Sequence, residues 1–366
     1  MASADTRPEG TPDSALQASP GDMDRPSGGS TGSNTPGAVG SGYVQQPQDV
    51  SKLYGEDRTR DTAALREQIE QLKSERDAVI LAHYYVSPEV QDIADHVGDS
   101  YGLAKTASEL DCKTLVFCGV QFMGESAKLL SPGKTVLMPA PDADCPMAHM
   151  VTEETVLRAR GEYDDLAVVC YVNSTIEMKA LSDVCVTSSN ALKIVGRLPQ
   201  ENILFVPDRH LAHYISQQLP EKNFIFNDGA CPIHESIELE QILELKREHP
   251  DAPVLMHPEC PEWLLAEADY IGSTSGIIKR AAEGSEPEYI VATVVGVQHQ
   301  MELLTKGSGK RFYFPRRAPM CVNMRKITLE KVRDALALGT GEVPMPDESV
   351  RGKARESLSR MLELAR

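Results

Sequence analysis

The feature that most constrains the fold of this chain is a weak internal repeat with a period near 86 residues. Three short apolar runs, typical of buried strands, each end in polar side chains with rings or amides. The runs are residues 78–82 before His83-Tyr84-Tyr85, residues 166–170 before Tyr171-Val172-Asn173, and residues 253–256 before His257-Pro258-Glu259. Tyr84 and Tyr171 are 87 residues apart, and Tyr171 and His257 are 86 apart. A recurring period of this size indicates repeated structural units.

Each unit also contains a second apolar run followed by a turn. These runs are residues 115–119 before Met123-Gly124-Glu125, residues 184–186 before 187–190, and residues 270–271 before 272–276. Each turn opens a pattern with helical spacing, and the backbone N–H groups at such a helix start can bind an anion.

Alternating strands and helices predict an α/β fold with parallel sheets. We expect three similar parallel-sheet α/β modules around a pseudo-threefold axis, with a central active site beyond the carboxyl ends of the strands. The predicted domains are a tail over residues 1–55, a first domain over 60–149 plus 321–366, a second over 150–234 and a third over 235–320.

The first 50 residues are rich in Gly, Ser, Pro, Thr and Asp and carry almost no periodic apolar pattern. Such a composition cannot bury enough apolar surface to offset the entropy of ordering, so we expect a disordered tail. Beyond it, apolar residues at 65, 69 and 72 predict a helix that begins behind Asp61 as N-cap.

The net charge of −17, from 54 acidic and 37 basic residues, disfavours nucleic acid and anionic membranes as partners. A salt-rich cytoplasm is an alternative explanation for this acidity. No run approaches the roughly 20 apolar residues of a membrane span, and no apolar signal segment follows Met1. We therefore expect a cytoplasmic protein whose eight cysteines are not a disulfide framework.

Three of the eight cysteines recur at equivalent places in the repeat. Cys145, Cys231 and Cys321 are 86 and 90 residues apart, in polar or proline-marked loops. Three such thiolates could hold an iron–sulfur cubane and leave one iron open to substrate. Buried, unreactive thiols are the alternative from spacing alone, and we favour that reading for the cysteines in or beside strand runs. These are Cys112, Cys118, Cys170 and Cys185, while Cys260 stays unassigned.

Residues 61–335 resemble the quinolinate synthase family in a series of short motifs that occur in order. The motifs are His83-Tyr84-Tyr85, Gly98-Asp99-Ser100, residues 122–128, Asp144-Cys145-Pro146-Met147-Ala148, Tyr171-Val172-Asn173-Ser174, residues 187–191, residues 229–235, His257-Pro258-Glu259-Cys260, residues 272–276 and Cys321-Val322-Asn323-Met324. The resemblance implies an enzyme that makes quinolinate, a precursor of NAD, from iminoaspartate and dihydroxyacetone phosphate. It also implies a [4Fe–4S] cluster, with Cys145, Cys231 and Cys321 as its ligands, and a functional link to the enzyme that supplies iminoaspartate.

The chemistry of such a condensation requires several timed proton transfers. His83, His234 and His257 are candidates because imidazole exchanges protons near neutrality. Glu259 could serve as a base or orient a histidine. Catalytic phenols are expected at Tyr171 and, by the resemblance, at Tyr85 rather than Tyr84. Substrate oxygens and anions are expected to bind His83, Ser100, Tyr171, Asn173, Ser188, His257, Glu259 and Thr274. Hydrogen-bonded structural histidines and ordinary helix caps are the alternative interpretations.

Two segments depart from the family pattern. The chain reads Phe226-Asn227-Asp228 where the family often has a tryptophan, and Val294 and Val295 follow Thr293 where an acidic neighbour is expected. We assign no role to the Thr293 segment from sequence. Two other functions stay open: an iron–sulfur hydro-lyase acting on a different hydroxy acid, and a non-catalytic binder of a small dianion with structural or zinc-bound cysteines.

Deletion of residues 1–50 is expected to leave turnover nearly unchanged, because the sequence pattern of this segment contributes nothing to the repeat. Steady-state rates of the full-length and shortened chains, compared at equal metal content, check this expectation. A large fall in turnover would show that residues 1–50 are more than a linker.

Overall fold

The computed structural model describes residues 62–366; the predicted tail and the predicted Asp61 cap lie outside this part of the chain. The strands are β1 Ala78–His83, β2 His96–Gly98, β3 Thr114–Cys118, β4 Thr135–Leu137, β5 Leu166–Tyr171, β6 Val184–Val186, β7 Asn202–Val206, β8 Asn223–Phe226, β9 Val254–Met256, β10 Tyr270–Ile271, β11 Glu288–Ala292 and β12 Arg311–Tyr313.

Helices connect these strands throughout the described part of the chain. They are α1 Thr62–Arg76, α2 Pro88–Asp92, α3 Ser100–Glu109, α4 Gln121–Leu130, α5 Glu153–Glu162, α6 Ile176–Ala180, α7 Ala191–Arg197, α8 Arg209–Gln218, α9 Pro232–Glu235, α10 Leu239–Glu248, α11 Glu262–Leu265, α12 Thr274–Glu283, α13 Val297–Leu304, α14 Leu329–Leu338 and α15 Glu348–Leu364. Two 3₁₀ turns occupy Pro146–His149 and Met324–Lys326.

The twelve strands form three four-stranded sheets with the same strand order. The orders are β2-β1-β3-β4, β6-β5-β7-β8 and β10-β9-β11-β12. Every strand pair within these sheets is parallel. The prediction of three similar parallel α/β modules is therefore confirmed, whereas the pseudo-threefold axis and the domain boundaries stay predictions.

Burial explains why the central strands read as continuous apolar runs. All six residues of β5 and all five residues of β3 are buried. Parallel strands covered by helices on both faces expose neither side to water, so both faces are apolar. The first strand of each sheet matches its predicted run closely.

The equivalence drawn between the second apolar runs of the three units is wrong for the first unit. Residues 184–186 and 270–271 form the second strands of their sheets, but residues 115–118 belong to a third strand, β3. The true second strand of the first sheet, His96–Gly98, is only three residues long and lies partly exposed. Its one large apolar residue, Val97, is too little to form an apolar run.

A close backbone approach joins the first and third modules near the ends of β1 and β11. A Cβ atom at Gly296 would lie 2.6 Å from the carbonyl oxygen of Tyr84 and 2.8 Å from Tyr85 Cα. Gln91 Nε2 also donates to the carbonyls of Tyr84 and Gly296, at 2.9 Å and 3.0 Å. Only glycine allows this approach, which fixes the segment that carries Tyr85.

The C-terminal helices cover the first two modules. Helix α14 packs against α1, and α15 packs against α6 and β6. Ser357 on α15 donates its hydroxyl to the carbonyl of Lys179 at 2.8 Å. Among the described helices, none is long and apolar enough to cross a membrane.

Leu358→Ala should lower the free energy of unfolding by about 2–5 kcal/mol, because the Leu358 side chain on α15 is fully buried and its truncation leaves a cavity. Leu338→Ala is the matched control: Leu338 is 72% exposed at the end of α14, and its truncation should change stability by less than about 0.5 kcal/mol. Denaturant unfolding of both variants measures the difference. Equal losses would contradict the packing described here.

Candidate active site

One cavity lies where the carboxyl ends of the strands of all three sheets meet. It encloses about 170 Å³, far more than a single ordered water needs. The predicted site residues that line it are His83, Tyr85, Ser100, Cys145, Tyr171, Asn173, Ser188, Cys231, His257, Glu259, Thr274 and Cys321. His234 contacts the lining residues Cys231 and Glu259 and is itself only 1% exposed.

Equivalent strands supply equivalent groups to this cavity. His83, Tyr171 and His257 lie at or directly after the ends of the first strands, β1, β5 and β9. The turns after the second strands contribute hydroxyls to the cavity lining, and the loops after the fourth strands contribute thiols. The hydroxyls are those of Ser100, Ser188 and Thr274, and the thiols are those of Cys145, Cys231 and Cys321. Because parallel strands present all their carboxyl ends at one edge, the repeat brings these groups together.

Glu259 is the centre of a hydrogen-bonded network between the second and third modules. Tyr171 donates its phenol to Glu259 Oε1 at 2.6 Å, and His234 Nδ1 lies 2.7 Å from Glu259 Oε2. His257 Nδ1 is 3.8 Å from the same oxygen. The rings of His234 and His257 stack with centroids 4.7 Å apart. A buried carboxylate is costly unless it is paired in this way.

These contacts decide the charge of Glu259. Burial raises the pKa of its carboxyl, but the neighbouring His257 and His234 and the Tyr171 hydrogen bond together lower it below the ordinary value. Glu259 therefore stays ionised. Conversely, burial and the nearby charge of Glu259 raise the pKa of Tyr171 well above its ordinary value, which keeps the phenol protonated. The pKa of Tyr85 is raised by the same two causes.

The histidines that follow β1 and β9 share a backbone contact that selects their tautomer. The N–H of Tyr85 donates to His83 Nδ1 at 3.2 Å, and the N–H of Glu259 donates to His257 Nδ1 at 3.3 Å. An Nδ1 that accepts a hydrogen bond leaves Nε2 as the protonated nitrogen of a neutral ring. The Nε2 of His257 lies 3.2 Å from Ser188 Oγ.

Burial keeps both of these rings neutral. It lowers the pKa of His83 to about 4, with the charge of Glu259 partly offsetting the effect. It lowers the pKa of His257 to about 3, again against the charge of Glu259. At neutral pH both rings therefore present an Nε2–H donor rather than a free base.

The three loop cysteines lie in settings suited to metal-bound thiolates. Cys145 and Cys231 directly precede short helical turns, and Cys321 lies three residues before a 3₁₀ turn. Burial, then the charge of Cys321, raises the pKa of Cys145 to about 12, while the backbone N–H groups of Met147 and Ala148 act in the opposite sense. Burial raises the pKa of Cys231 and Cys321 too, and backbone N–H groups again oppose it.

This donor set fits a bound iron–sulfur cluster. Each thiol costs free energy to ionise without a cation, yet each sulfur faces backbone donors, which are the hydrogen bonds that stabilise cluster sulfurs. Cys145, Cys231 and Cys321 all line the same cavity, so the three sulfurs can face one bound group. A cation bound between the three sulfurs would offset the free-energy cost of ionising these buried thiols.

A second arrangement of metal-binding groups overlaps with this one. The ligand atoms of Cys231, His234 and Glu259 all lie within 4.8 Å of one another. His234 Nδ1 is 3.2 Å from Cys231 Sγ. Sulfur, nitrogen and carboxylate ligands together are typical of zinc sites. Metal analysis is therefore needed to separate a cluster from a zinc ion.

The remaining cysteines lie outside the described cavity lining. Cys118, Cys170, Cys185 and Cys260 are fully buried, and Cys112 is partly buried. Cys260 Sγ contacts the carbonyl of Ala292 at 3.6 Å. Burial agrees with the interpretation of Cys118, Cys170, Cys185 and, in part, Cys112 as packed thiols; Cys260 was left unassigned from sequence and is buried too.

Sequence reasoning missed polar groups that follow the third strands. Thr293, directly after β11, is fully buried and contacts both Tyr85 and His234. Asp208, two residues after β7, is fully buried, and burial with the charge of Glu259 raises its pKa well above the ordinary value. The signal that could have found them is the same strand-end position, in Val206-Pro207-Asp208 and Ala292-Thr293.

Lower pH should destabilise the protein through His83. Its pKa is about 4 when folded and about 6.5 in an unfolded chain, so the unfolded state binds more protons between these values. Stability is full above about pH 6.5 and falls by up to about 3 kcal/mol as the pH drops towards 4. His83→Gln removes this titration. Thermal unfolding of both proteins across that range should show a flatter pH dependence for the variant, and identical slopes would contradict the burial of His83.

Comparison with known proteins identifies the family of this chain. Residues 67–363 match the family described as Quinolinate synthetase A protein. A quinolinate synthase of Fusobacterium nucleatum is 50% identical over 301 residues, covering 82% of this chain and 99% of the relative. Quinolinate synthases of Clostridioides difficile (48% identical, 81% and 97% covered) and Methanoregula boonei (44% identical, 83% and 99% covered) are similar along nearly their whole length. The chain therefore belongs to the quinolinate synthase family of enzymes.

Proposed function

We propose that this enzyme condenses iminoaspartate with dihydroxyacetone phosphate to give quinolinate, phosphate and two waters. The observation that carries the proposal is the meeting of Cys145, Cys231 and Cys321 with His, Tyr and Glu side chains in one cavity. We further propose that the activity belongs to de novo NAD biosynthesis in the cytoplasm, and that it is linked to the enzyme that supplies iminoaspartate.

Cys145, Cys231 and Cys321 are the proposed ligands of a [4Fe–4S] cluster. Three protein ligands leave one iron open, and when bound the cluster supplies a Lewis acid for dehydration. The proposed catalytic residues are His83, Tyr85, Tyr171, His234, His257 and Glu259, and the remaining chemistry is assigned to them.

Tyr171 and Glu259 form a relay that can move a proton from the substrate. The phenol donates to Glu259 at 2.6 Å. Tyr171 can take a substrate proton while passing its own to the carboxylate, so no free phenolate forms and Glu259 is the final acceptor. Because the pKa of Glu259 is lowered, this relay serves only acidic substrate protons and returns the proton readily. His234, on the other carboxylate oxygen, holds Glu259 in position.

His83 and His257 act as donors in this proposal. Each neutral ring carries its proton on Nε2 because a backbone N–H occupies Nδ1. Such donors stabilise negative charge that develops on a substrate oxygen, and the low pKa of each ring limits premature protonation of the substrate. Tyr85, whose phenol remains protonated, can serve the same purpose on the first-module side.

The substrates are small anions, and hydroxyl and amide groups ring the cavity to receive them. The proposed set is His83, Ser100, Tyr171, Asn173, Ser188, His257, Glu259 and Thr274. Asn173 Oδ1 is buried without a hydrogen-bond partner, which marks a polar atom left for a ligand. An amide oxygen can accept from the substrate imine N–H or a hydroxyl, whereas the Ser and Thr hydroxyls can donate to carboxylate or phosphate.

Cys145→Ser, Cys231→Ser and Cys321→Ser should each abolish quinolinate formation and reduce bound iron and sulfide from about four of each per chain. Cys118→Ser is the matched control, because Cys118 is fully buried in β3 and outside the cavity lining. It should retain both the metal and the activity. The measurements are iron, sulfide and zinc content of anaerobically purified protein, with product formation from both substrates.

Three outcomes would contradict the proposal. Loss of the metal in the Cys118 variant with retention in the Cys231 variant would overturn the ligand assignment. Stoichiometric zinc in place of iron and sulfide would favour the Cys231, His234 and Glu259 group instead. Full metal loading without quinolinate formation would favour a hydro-lyase acting on another hydroxy acid.

A further inference from the structure

Thr293 connects two proposed catalytic side chains that do not contact each other in any hydrogen bond described above. Its Oγ1 lies 3.1 Å from Tyr85 Oη and 2.9 Å from His234 Nε2. The residue is 0% exposed and sits directly after β11, while the next residue, Val294, lines the cavity. Thr293 therefore acts behind the cavity wall.

A hydroxyl suits this place in either protonation state of the His234 ring. It carries one proton and two lone pairs, so it can donate to a neutral Nε2 while accepting from a phenol. It can equally accept from an Nε2–H and donate to the phenol oxygen. A methyl group of the same size can do neither, and it would leave the buried Nε2 without this partner.

The hydroxyl completes a continuous chain of hydrogen bonds across the site. The chain runs from Tyr85 to Thr293 at 3.1 Å, to His234 at 2.9 Å, to Glu259 at 2.7 Å and to Tyr171 at 2.6 Å. Tyr85 follows β1, Tyr171 ends β5 and Thr293 follows β11, so all three sheets contribute. The two phenols on separate modules are thereby held in one network.

We propose that Thr293 is a positioning residue whose hydroxyl fixes the Tyr85 phenol and the His234 imidazole relative to Glu259 and Tyr171. This inference rests on the proposed function. Without the hydroxyl, Tyr85 keeps its contact with Thr274 Oγ1 at 3.0 Å but loses the link to His234. A phenol or imidazole that is misplaced by a small distance loses transition-state stabilisation more than substrate binding.

Thr293→Val and Thr293→Ser test this role, since valine keeps the shape and serine keeps the hydroxyl. Thr293→Val should lower kcat by roughly tenfold to a hundredfold with KM changed by less than about threefold. Thr293→Ser should keep kcat within about threefold of the wild type. Thr305→Val is the matched control, because Thr305 is also buried and its Oγ1 donates to the Met301 carbonyl at 2.7 Å, away from the cavity lining. It should leave kcat within about twofold.

Metal content and thermal unfolding are measured for every variant, so that a folding defect is not read as a catalytic one. Should valine prevent folding, Thr293→Ala removes the same hydroxyl without the added methyl and takes its place in the comparison. Unchanged kcat in the variant without the hydroxyl, or an equal loss in Thr293→Ser, would overturn the proposal. If the wild type forms no quinolinate, the proposed function fails; an active wild type with an equally active Thr293→Val overturns this inference alone.

Discussion

The parallel direction of the strands is the constraint on which the rest of the structure depends. A parallel sheet presents all its carboxyl ends at one edge, and the loops at that edge carry its functional side chains. Here the same strand order occurs in three sheets. First strands supply His83, Tyr171 and His257, while fourth strands lead to the loop cysteines. A chain of ordinary modules thus assembles a site that no single module contains.

One buried charge then organises that site. Glu259 is 4% exposed and ionised, so the free-energy cost of burying its charge must be offset by its contacts with Tyr171 and His234. The same charge raises the pKa of the phenols, whereas burial lowers the pKa of the histidines. Tyr85, Tyr171, His83 and His257 are thereby each held in a defined protonation state before substrate binds. Within this network, the Thr293 hydroxyl links Glu259, through His234, to the Tyr85 phenol of the first module.

The sequence predicted the modules and most of the cavity lining because both follow from the repeat. Apolar strands and the ring-bearing residues at their ends are local signals, and they recur. The second strand of the first sheet escaped prediction because His96–Gly98 is short and half-exposed. Thr293 and Asp208 escaped because a single polar residue after an apolar run, as in Ala292-Thr293 and Val206-Pro207-Asp208, resembles an ordinary strand end. Their roles depend on contacts between modules, which no local pattern encodes.

The most direct test of the central claim is iron anomalous diffraction from crystals of anaerobically prepared protein. The account predicts one compact group of irons bonded to the sulfurs of Cys145, Cys231 and Cys321, with Sγ–iron distances of about 2.3 Å, as is usual for metal–thiolate bonds. It also predicts one iron without a protein ligand, open to the cavity. Three sulfurs far apart with no metal between them, or a single ion held by Cys231, His234 and Glu259, would contradict it.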